Sequence, residues 1–267
     1  MEQAADLAVR AALEVLREPP VALLTDVDGT ISPIADRPEA ARVSPLCRRA
    51  LAVLAGRLAL VAVVSGRPAR EAQQLLDLPG IAYVGNHGFE VWREGVLQIL
   101  PEAVPFVPLL GQVLRDLPAR LPGLLGVIFE EKGATASIHY RLAADPALAR
   151  REILAALASL PSAGQLRWTE GRMVVELRPP LAVDKGTAVG ALLRAQELRG
   201  AVYLGDDTTD VDAFKALRLW AAERSGRALN LAVLAVETPP EVVAQADYAL
   251  PGVDAVERFL DRLAALA

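Results

Sequence analysis

The chain has 267 residues, 53% of them hydrophobic and 23% charged, with a net charge of −5 and a pI near 5.3. That length suits one large domain or two of unequal size, and the acidic balance leaves no electrostatic footprint for nucleic acid or an anionic membrane surface, so a small-molecule partner is expected. Cys47 is the only cysteine, which excludes an internal disulfide, and uncharged stretches such as Ala103 to Leu114 fall short of the roughly 20 apolar residues of a membrane span.

Met1 to Arg17 alternates charge with Ala and Leu as an amphipathic helix does and a signal peptide does not, so a cytoplasmic location is expected. An apolar run from Val21 ends in Thr25-Asp26-Val27-Asp28-Gly29-Thr30. This pattern predicts a buried strand emerging at a sheet edge, where open α/β sheets bind ligands. Acids at i and i+2 of a strand project to the same side and can address one centre. Two such carboxylates repel unless a hard cation such as Mg²⁺ keeps both ionised, and an ionised aspartate in that field can attack phosphorus. The plainer reading is that both acids only cap the turn that follows.

Pro45 to Gly56 has helical spacing, and Leu58 to Val64 runs into Ser65-Gly66-Arg67. This reads as a second buried strand opening into a glycine turn. The Ser hydroxyl and backbone N–H groups there suit a phosphate, and a helix near Glu71 to Leu76 adds its positive end. Ile81 to Val84 predicts a third strand, running into Gly85-Asn86-His87-Gly88. Flanking glycines permit close backbone approach to a ligand, or equally a structural turn around a hydrogen-bonded His.

Prolines at 101, 105, 108, 118 and 122 mark a first domain boundary and Pro179-Pro180 the return. The expected division is a core over 1–103 and 180–267 and an insert over 104–179. Within the insert, Val127 to Glu130, Ala134 to Arg141, a helical Pro146 to Leu160, and Leu166 to Leu177 broken by Glu170-Gly171 predict a small α+β module. Strand parity puts Glu130 with Lys132, His139 with Arg141, and Arg172 with Glu176 on shared faces. A solvated face of an antiparallel sheet accounts for that, and a polar face suited to a hydroxyl-rich ligand accounts for it equally.

Beyond Pro180, Asp184-Lys185-Gly186-Thr187 opens a helix through Leu193. A cation at a helix start opposes the dipole unless it has a role, and a phosphate partner would supply one. Of 28 basic side chains only Lys132, Lys185 and Lys215 are lysines, so a compact ammonium kept here suggests a demanding site. Ala201 to Leu204 ends in Gly205-Asp206-Asp207-Thr208-Thr209-Asp210, acids with no compensating cation in the loop, which again calls for a metal. Leu231 to Val236 is expected as the last strand and Val253 to Leu266 as the closing helix.

Together, Asp26-Val-Asp-Gly-Thr, Ser65-Gly-Arg, Lys185-Gly and Gly205-Asp-Asp-x-Thr-Asp resemble, in that order, the four motifs of the haloacid dehalogenase superfamily of phosphatases. More narrowly, Gly85-Asn-His-Gly, Glu130-x-Lys-Gly through Ile138-His-Tyr-Arg141, and Gly171-Arg-x-x-x-Glu-x-Arg resemble the trehalose-6-phosphate phosphatase family. The resemblance implies a Rossmann-like α/β core with a parallel sheet, plus an inserted α+β cap. It implies Asp26 as nucleophile, Asp28 as general acid and base, and Mg²⁺ held by the Asp26 side chain, the Asp28 carbonyl and Asp206, with Asp207 and Asp210 in support. Ser65, Gly66 and Lys185 would bind the phosphoryl oxygens. Arg67, Asn86 and His87, with the cap residues Glu130, Lys132, Arg141, Arg172 and Glu176, would bind a phosphorylated disaccharide. A functional pairing with a trehalose-6-phosphate synthase would follow. Val211 departs from the family, which commonly has Glu there. A phosphatase for sucrose phosphate or another glycoside, a sugar phosphomutase and a catalytically silent partner of a synthase are the competing readings.

Overall fold

Short runs of aliphatic residues make the strands here, and amphipathic stretches cover them. The computed structural model describes residues 2–35, 38–171, 173–235 and 238–266. The chain divides into two compact units, Met1–Gln98 with Val183–Ala267, and Ile99–Ala182.

The larger unit begins with α1 (Glu2–Leu16), β1 (Val21–Thr25), α2 (Pro45–Ala55), β2 (Leu60–Val64), α3 (Ala69–Leu76), β3 (Ile81–Gly85), β4 (Glu90–Arg93) and β5 (Val96–Ile99), whose last residue falls on the divide. The smaller unit contributes α4 (Val107–Asp116), β6 (Ile128–Glu131), β7 (Ala136–His139), α5 (Pro146–Ala158), β8 (Arg167–Gly171) and β9 (Val174–Arg178). The chain then returns through α6 (Lys185–Arg194), β10 (Gly200–Gly205), α7 (Thr208–Arg224), β11 (Arg227–Leu234), α8 (Pro240–Gln245), β12 (Tyr248–Pro251) and α9 (Val253–Leu266).

Among the described residues the larger unit has an eight-stranded sheet in the order β12-β11-β10-β1-β2-β3-β4-β5. The pairs from β12 through β3 are parallel, and β3–β4 is antiparallel. Both faces of β1 are buried. Leu23, Val61 and Val63 pack with α1, α2, α3 and α9 on one side, and Leu24, Ala62 and Val64 pack with α6, α7 and α8 on the other. This two-sided cover explains why the strands read as unbroken apolar runs. Strand order reverses at β1, from which the chain winds outward to β2 in one direction and later returns to β10 in the other. The loops after β1 and β10 therefore lie side by side at a topological switch point, the place where open α/β sheets hold ligands.

The smaller unit is an antiparallel sheet in the order β6-β7-β9-β8. Ala136, Ile138, Val175 and Leu177 bury one face against Leu110 and Val113 of α4 and Ile153 and Leu157 of α5. Register aligns Glu130 with Ser137, Ser137 with Glu176 and Glu176 with Thr169, a polar row across the opposite face.

Several sequence expectations are corrected. β1 ends at Thr25, so Asp26 and Asp28 lie in the loop beyond it and strand alternation does not relate them. Glu170-Gly171 does not break the pair it sits in: both are within β8, where Glu170 faces Val175 across the ladder and is held by Arg150. Lys132 and Arg141 lie just past the ends of β6 and β7. The last strand is β12, while the strand expected at Leu231 to Val236 is β11, starting at Arg227; Val236 lies outside the described residues. The β4–β5 pair also went unread, because its turn residues Glu94 and Gly95, at φ 52° and 82°, carry little of a hairpin signal.

Candidate active site

Asp26 follows β1 directly, and its N–H donates to the Leu204 carbonyl at 2.9 Å, which ties the first acidic loop to the end of β10. Asp26 is only 4% exposed. Its carboxylate lies 3.1 Å from the Lys185 ammonium, which also donates to Asp210 Oδ1 at 2.8 Å. Lys185 is the first residue of α6, whose N-cap is Asp184, with its side chain accepting from Thr187 N–H. The dipole cost at that helix start is thus met by the buried carboxylates of Asp26 and Asp210.

Asp210 sits in the first turn of α7 and is completely buried. The Tyr203 hydroxyl donates to Oδ1 at 2.8 Å, and the backbone N–H groups of Asp206 and Asp207 donate to Oδ2, each at 3.1 Å. Both oxygens are therefore taken by protein donors. Asp206 carries the Thr30 hydroxyl on Oδ1 at 3.0 Å. Gly29 leaves room for it: at φ +87°, a Cβ there would stand 2.1 Å from Asp206 Oδ2, so only glycine permits the two loops to close on each other. Asp207 turns outward and caps α7, accepting from Thr208 N–H at 2.8 Å.

Asp26, Asp206 and Asp210 each offer an oxygen within 4.8 Å of the others. Burial, outweighing the pull of Lys185, holds the Asp26 carboxyl well above the usual range, and the neighbouring acids add to it. Burial and then the Asp210 charge push Asp206 up to about 7. For Lys185 burial works against the charge, and Asp210 and Asp26 overcome it, so the ammonium is held protonated. With all three acids ionised against one ammonium there is an excess of negative charge that a divalent cation with a preference for oxygen would balance, so Asp26 and Asp206 fit as donors to such an ion, beside an Asp210 engaged by the protein.

Asp28 is half-buried and points to a different partner. Arg67 grips it with both arms, Nε to Oδ2 at 2.6 Å and Nη2 to Oδ1 at 2.7 Å. The Arg67 N–H donates to the buried Ser65 Oγ at 3.2 Å. Across from Gly66 stands His87, close enough that a Cβ at Gly66 would lie 2.7 Å from Nε2. Asn86 is buried and His87 half-buried, and their loop is stitched to the Ser65 turn by Asn86 N–H to Arg67 O at 2.8 Å and His87 N–H to Ser65 O at 3.0 Å. The larger unit thus brings together Asp26, Asp206, Asp210 and Lys185 in one cluster, with Asp28, Ser65, Gly66, Arg67, Asn86 and His87 in linked turns.

In the smaller unit, Glu130 lies 2.7 Å from His139 Nε2 and 3.4 Å from Lys132 Nζ. Burial raises the Glu130 carboxyl, but the His139 bond and the Lys132 charge more than reverse this and leave it below its ordinary range. Glu176 is paired with Arg178. Arg141 follows β7 by two residues, and Arg172 lies outside the described residues. Sequence reading missed Tyr203 and Thr30 as site residues. Tyr203 is itself a core position on the wholly buried β10 and gives no signal of its own, whereas Thr30 was legible as the hydroxyl closing the Asp-x-Asp-Gly-Thr run.

A family model described as trehalose-phosphatase matches residues 24–254. The trehalose-phosphate phosphatase of Mycobacterium avium (strain 104) is 39% identical over 203 residues, covering 74% of this chain and 51% of that protein. That of Mycobacterium tuberculosis (strain ATCC 25618 / H37Rv) is 38% identical over 206 residues, with 75% and 51% covered. The chain spans about half the length of these curated relatives. In fold it is similar to the C-terminal domain of the Candida albicans trehalose-6-phosphate phosphatase, at a TM-score of 0.74 and 21% identity, covering 98% of this chain and 97% of that one. A haloacid dehalogenase-like hydrolase from Bacteroides thetaiotaomicron aligns over 91% of the chain at a TM-score of 0.63 and 16% identity, a likeness of fold, and the parallel strands of the larger unit with helices on both faces make a Rossmann-like core.

Proposed function

Because this chain belongs to the trehalose-phosphatase family, we propose that it hydrolyses trehalose 6-phosphate to trehalose and phosphate in a Mg²⁺-dependent reaction through a phosphoryl-aspartate. The observation that carries the reading is the buried Asp26 carboxylate held 3.1 Å from Lys185 beside Asp206 and Asp210. Asp26 attacks phosphorus, and the P–O bond to the sugar oxygen breaks as the acyl phosphate on Asp26 forms. Lys185, Ser65 and the backbone around Gly66 hold the phosphoryl oxygens while their charge redistributes. Asp28 gives a proton to the departing sugar oxygen and then takes one from the water that cleaves the phosphoryl-aspartate. Because Arg67 occupies both Asp28 oxygens, the guanidinium must release one of them when Asp28 acts as an acid.

Asp26, Asp206 and the Asp28 carbonyl are the groups that would hold the magnesium ion, with Asp207 and Asp210 in support. The ion supplies charge neutralisation that lets a phosphate dianion approach ionised carboxylates. Asp210, with both oxygens already engaged, suits a supporting role. We assign recognition of the disaccharide to Glu130, Lys132, Arg141, Arg172 and Glu176, and count Arg67, Asn86 and His87 as further substrate-binding residues. Pairing with a synthase that makes the phosphorylated sugar fits this activity, as does a cytoplasmic location.

The test is phosphate release with Mg²⁺ from trehalose 6-phosphate, sucrose 6-phosphate, glucose 6-phosphate and 4-nitrophenyl phosphate. A strong preference for trehalose 6-phosphate is expected. Activity on the aryl ester alone would remove the assigned substrate, and a requirement for a sugar bisphosphate would turn the reading to a phosphomutase.

A further inference from the structure

Glu90, at the start of β4, is a buried acid with no part in the chemistry above. It is 3% exposed, and its Oε1 accepts from the Ala69 N–H at 2.5 Å. Ala69 is the first residue of α3, whose N-cap position is Pro68, a residue with no side chain able to cap. A carboxylate supplied from a strand distant in sequence therefore does the capping. The same carboxylate accepts a second bond, from the Asn86 side chain.

Those two donors sit on the two turns that frame Arg67. Asn86 and His87 are consecutive non-glycine residues with φ of 50° and 57°, a tandem left-handed turn that persists only where its surroundings hold it in place. Asn86 in turn binds the Arg67 carbonyl, and Arg67 binds Ser65 Oγ through its N–H and Asp28 through its guanidinium. Glu90 thus joins the α3 start to the strained turn, with Arg67 between them.

We infer that Glu90 is a positioning residue: by clamping Ala69 and Asn86 it fixes Arg67, and through Arg67 it fixes the Asp28 carboxylate that moves the proton. This rests on the phosphatase reading above. A carboxylate that protonates the departing oxygen matters most when that oxygen leaves poorly. A general loosening of the fold would slow all esters alike.

The experiment measures kcat/KM for phenyl phosphate and 4-nitrophenyl phosphate, which share the aryl phosphate framework and differ by a para-nitro group that eases departure, in wild type, Glu90→Ala and Glu90→Gln. Glu90→Ala should lose about tenfold more on the phenyl ester than on the nitrophenyl ester. Glu90→Gln, which keeps an oxygen for the Ala69 N–H, should recover most of that selective loss. If Glu90→Ala shows no cooperative melt, Glu90→Asp carries the same expectation, since it keeps the charge but falls a methylene short. Equal losses on both esters, or none, in a folded variant of an active enzyme would overturn the inference alone. A wild type that releases no phosphate from these esters or from trehalose 6-phosphate would overturn the phosphatase reading and the inference with it.

Discussion

Asp210→Asn changes one atom at the most heavily bonded side chain of the site, and its cost can be worked from geometry. An asparagine amide has one oxygen where the carboxylate has two. If its nitrogen faces the Asp206 and Asp207 N–H groups, two backbone donors 3.1 Å away lose their acceptor. If it faces the other way it opposes the Lys185 ammonium at 2.8 Å, while the Tyr203 hydroxyl can turn and accept from it. The second arrangement is cheaper. It forfeits one charge-assisted hydrogen bond, about 1.5–3 kcal/mol, and part of a buried ion pair whose complete loss costs about 3–5 kcal/mol. Lys185 keeps Asp26 at 3.1 Å, and removing one anion eases the repulsion on Asp206, so the lower half of that range applies. The expected destabilisation is about 2–4 kcal/mol, a fall in Tm of roughly 5–15 °C, read by circular dichroism in chelator at pH 8. Asp207→Asn in the same loop is the control. Asparagine caps a helix as well as aspartate, so Tm should move by no more than roughly 2 °C. If the two variants melt together, the assignment of Asp210 as the internal anchor and Asp207 as the outer cap is wrong.

Asp26→Asn should abolish turnover while the chain still folds, because it removes the nucleophile and one of the repelling charges; measurable residual hydrolysis would reject that role. Glu130→Ala should reduce hydrolysis of trehalose 6-phosphate far more than hydrolysis of 4-nitrophenyl phosphate, and parallel losses would mean that the smaller unit does not read the sugar. In metal-free protein Asp206 has its pKa raised from 3.8 to about 7. The folded state therefore holds a proton that the unfolded state releases, and stability falls as pH rises between those values and then levels off. Magnesium binding should displace that proton, so the rise in Tm on adding Mg²⁺ should be larger at pH 8 than at pH 5.5. An equal rise at both would remove Asp206 from the ion's ligands.

The sequence alone determined the central strands β1, β2, β3 and β10, the loops that follow them and the chemistry of those loops. β1, β2, β3 and β10 are buried on both faces, so each reads as an apolar run that stops where polar chemistry begins, and the motifs at Asp26, Ser65, Lys185 and Asp206 were all legible. Tertiary structure decided which of these side chains meet. Asp26 and Asp28 lie two residues apart and looked like a pair, yet one turns to Lys185 and the other to Arg67, because the chain leaves the strand at Thr25 and alternation no longer applies. Asp207 and Asp210 were both expected only in support of the ion, and the backbone geometry of a helix start made Asp210 an internal acceptor and Asp207 an outer cap. Tyr203 and Glu90 gave no signal, since a core aromatic and a strand acid take on a role only through partners brought to them by folding. Tyr203 meets Asp210 seven residues along the chain, and Glu90 meets Ala69 twenty-one residues back. Local pattern records what each segment buries, whereas the partner of a buried polar group is set by the packing of segments far apart in sequence.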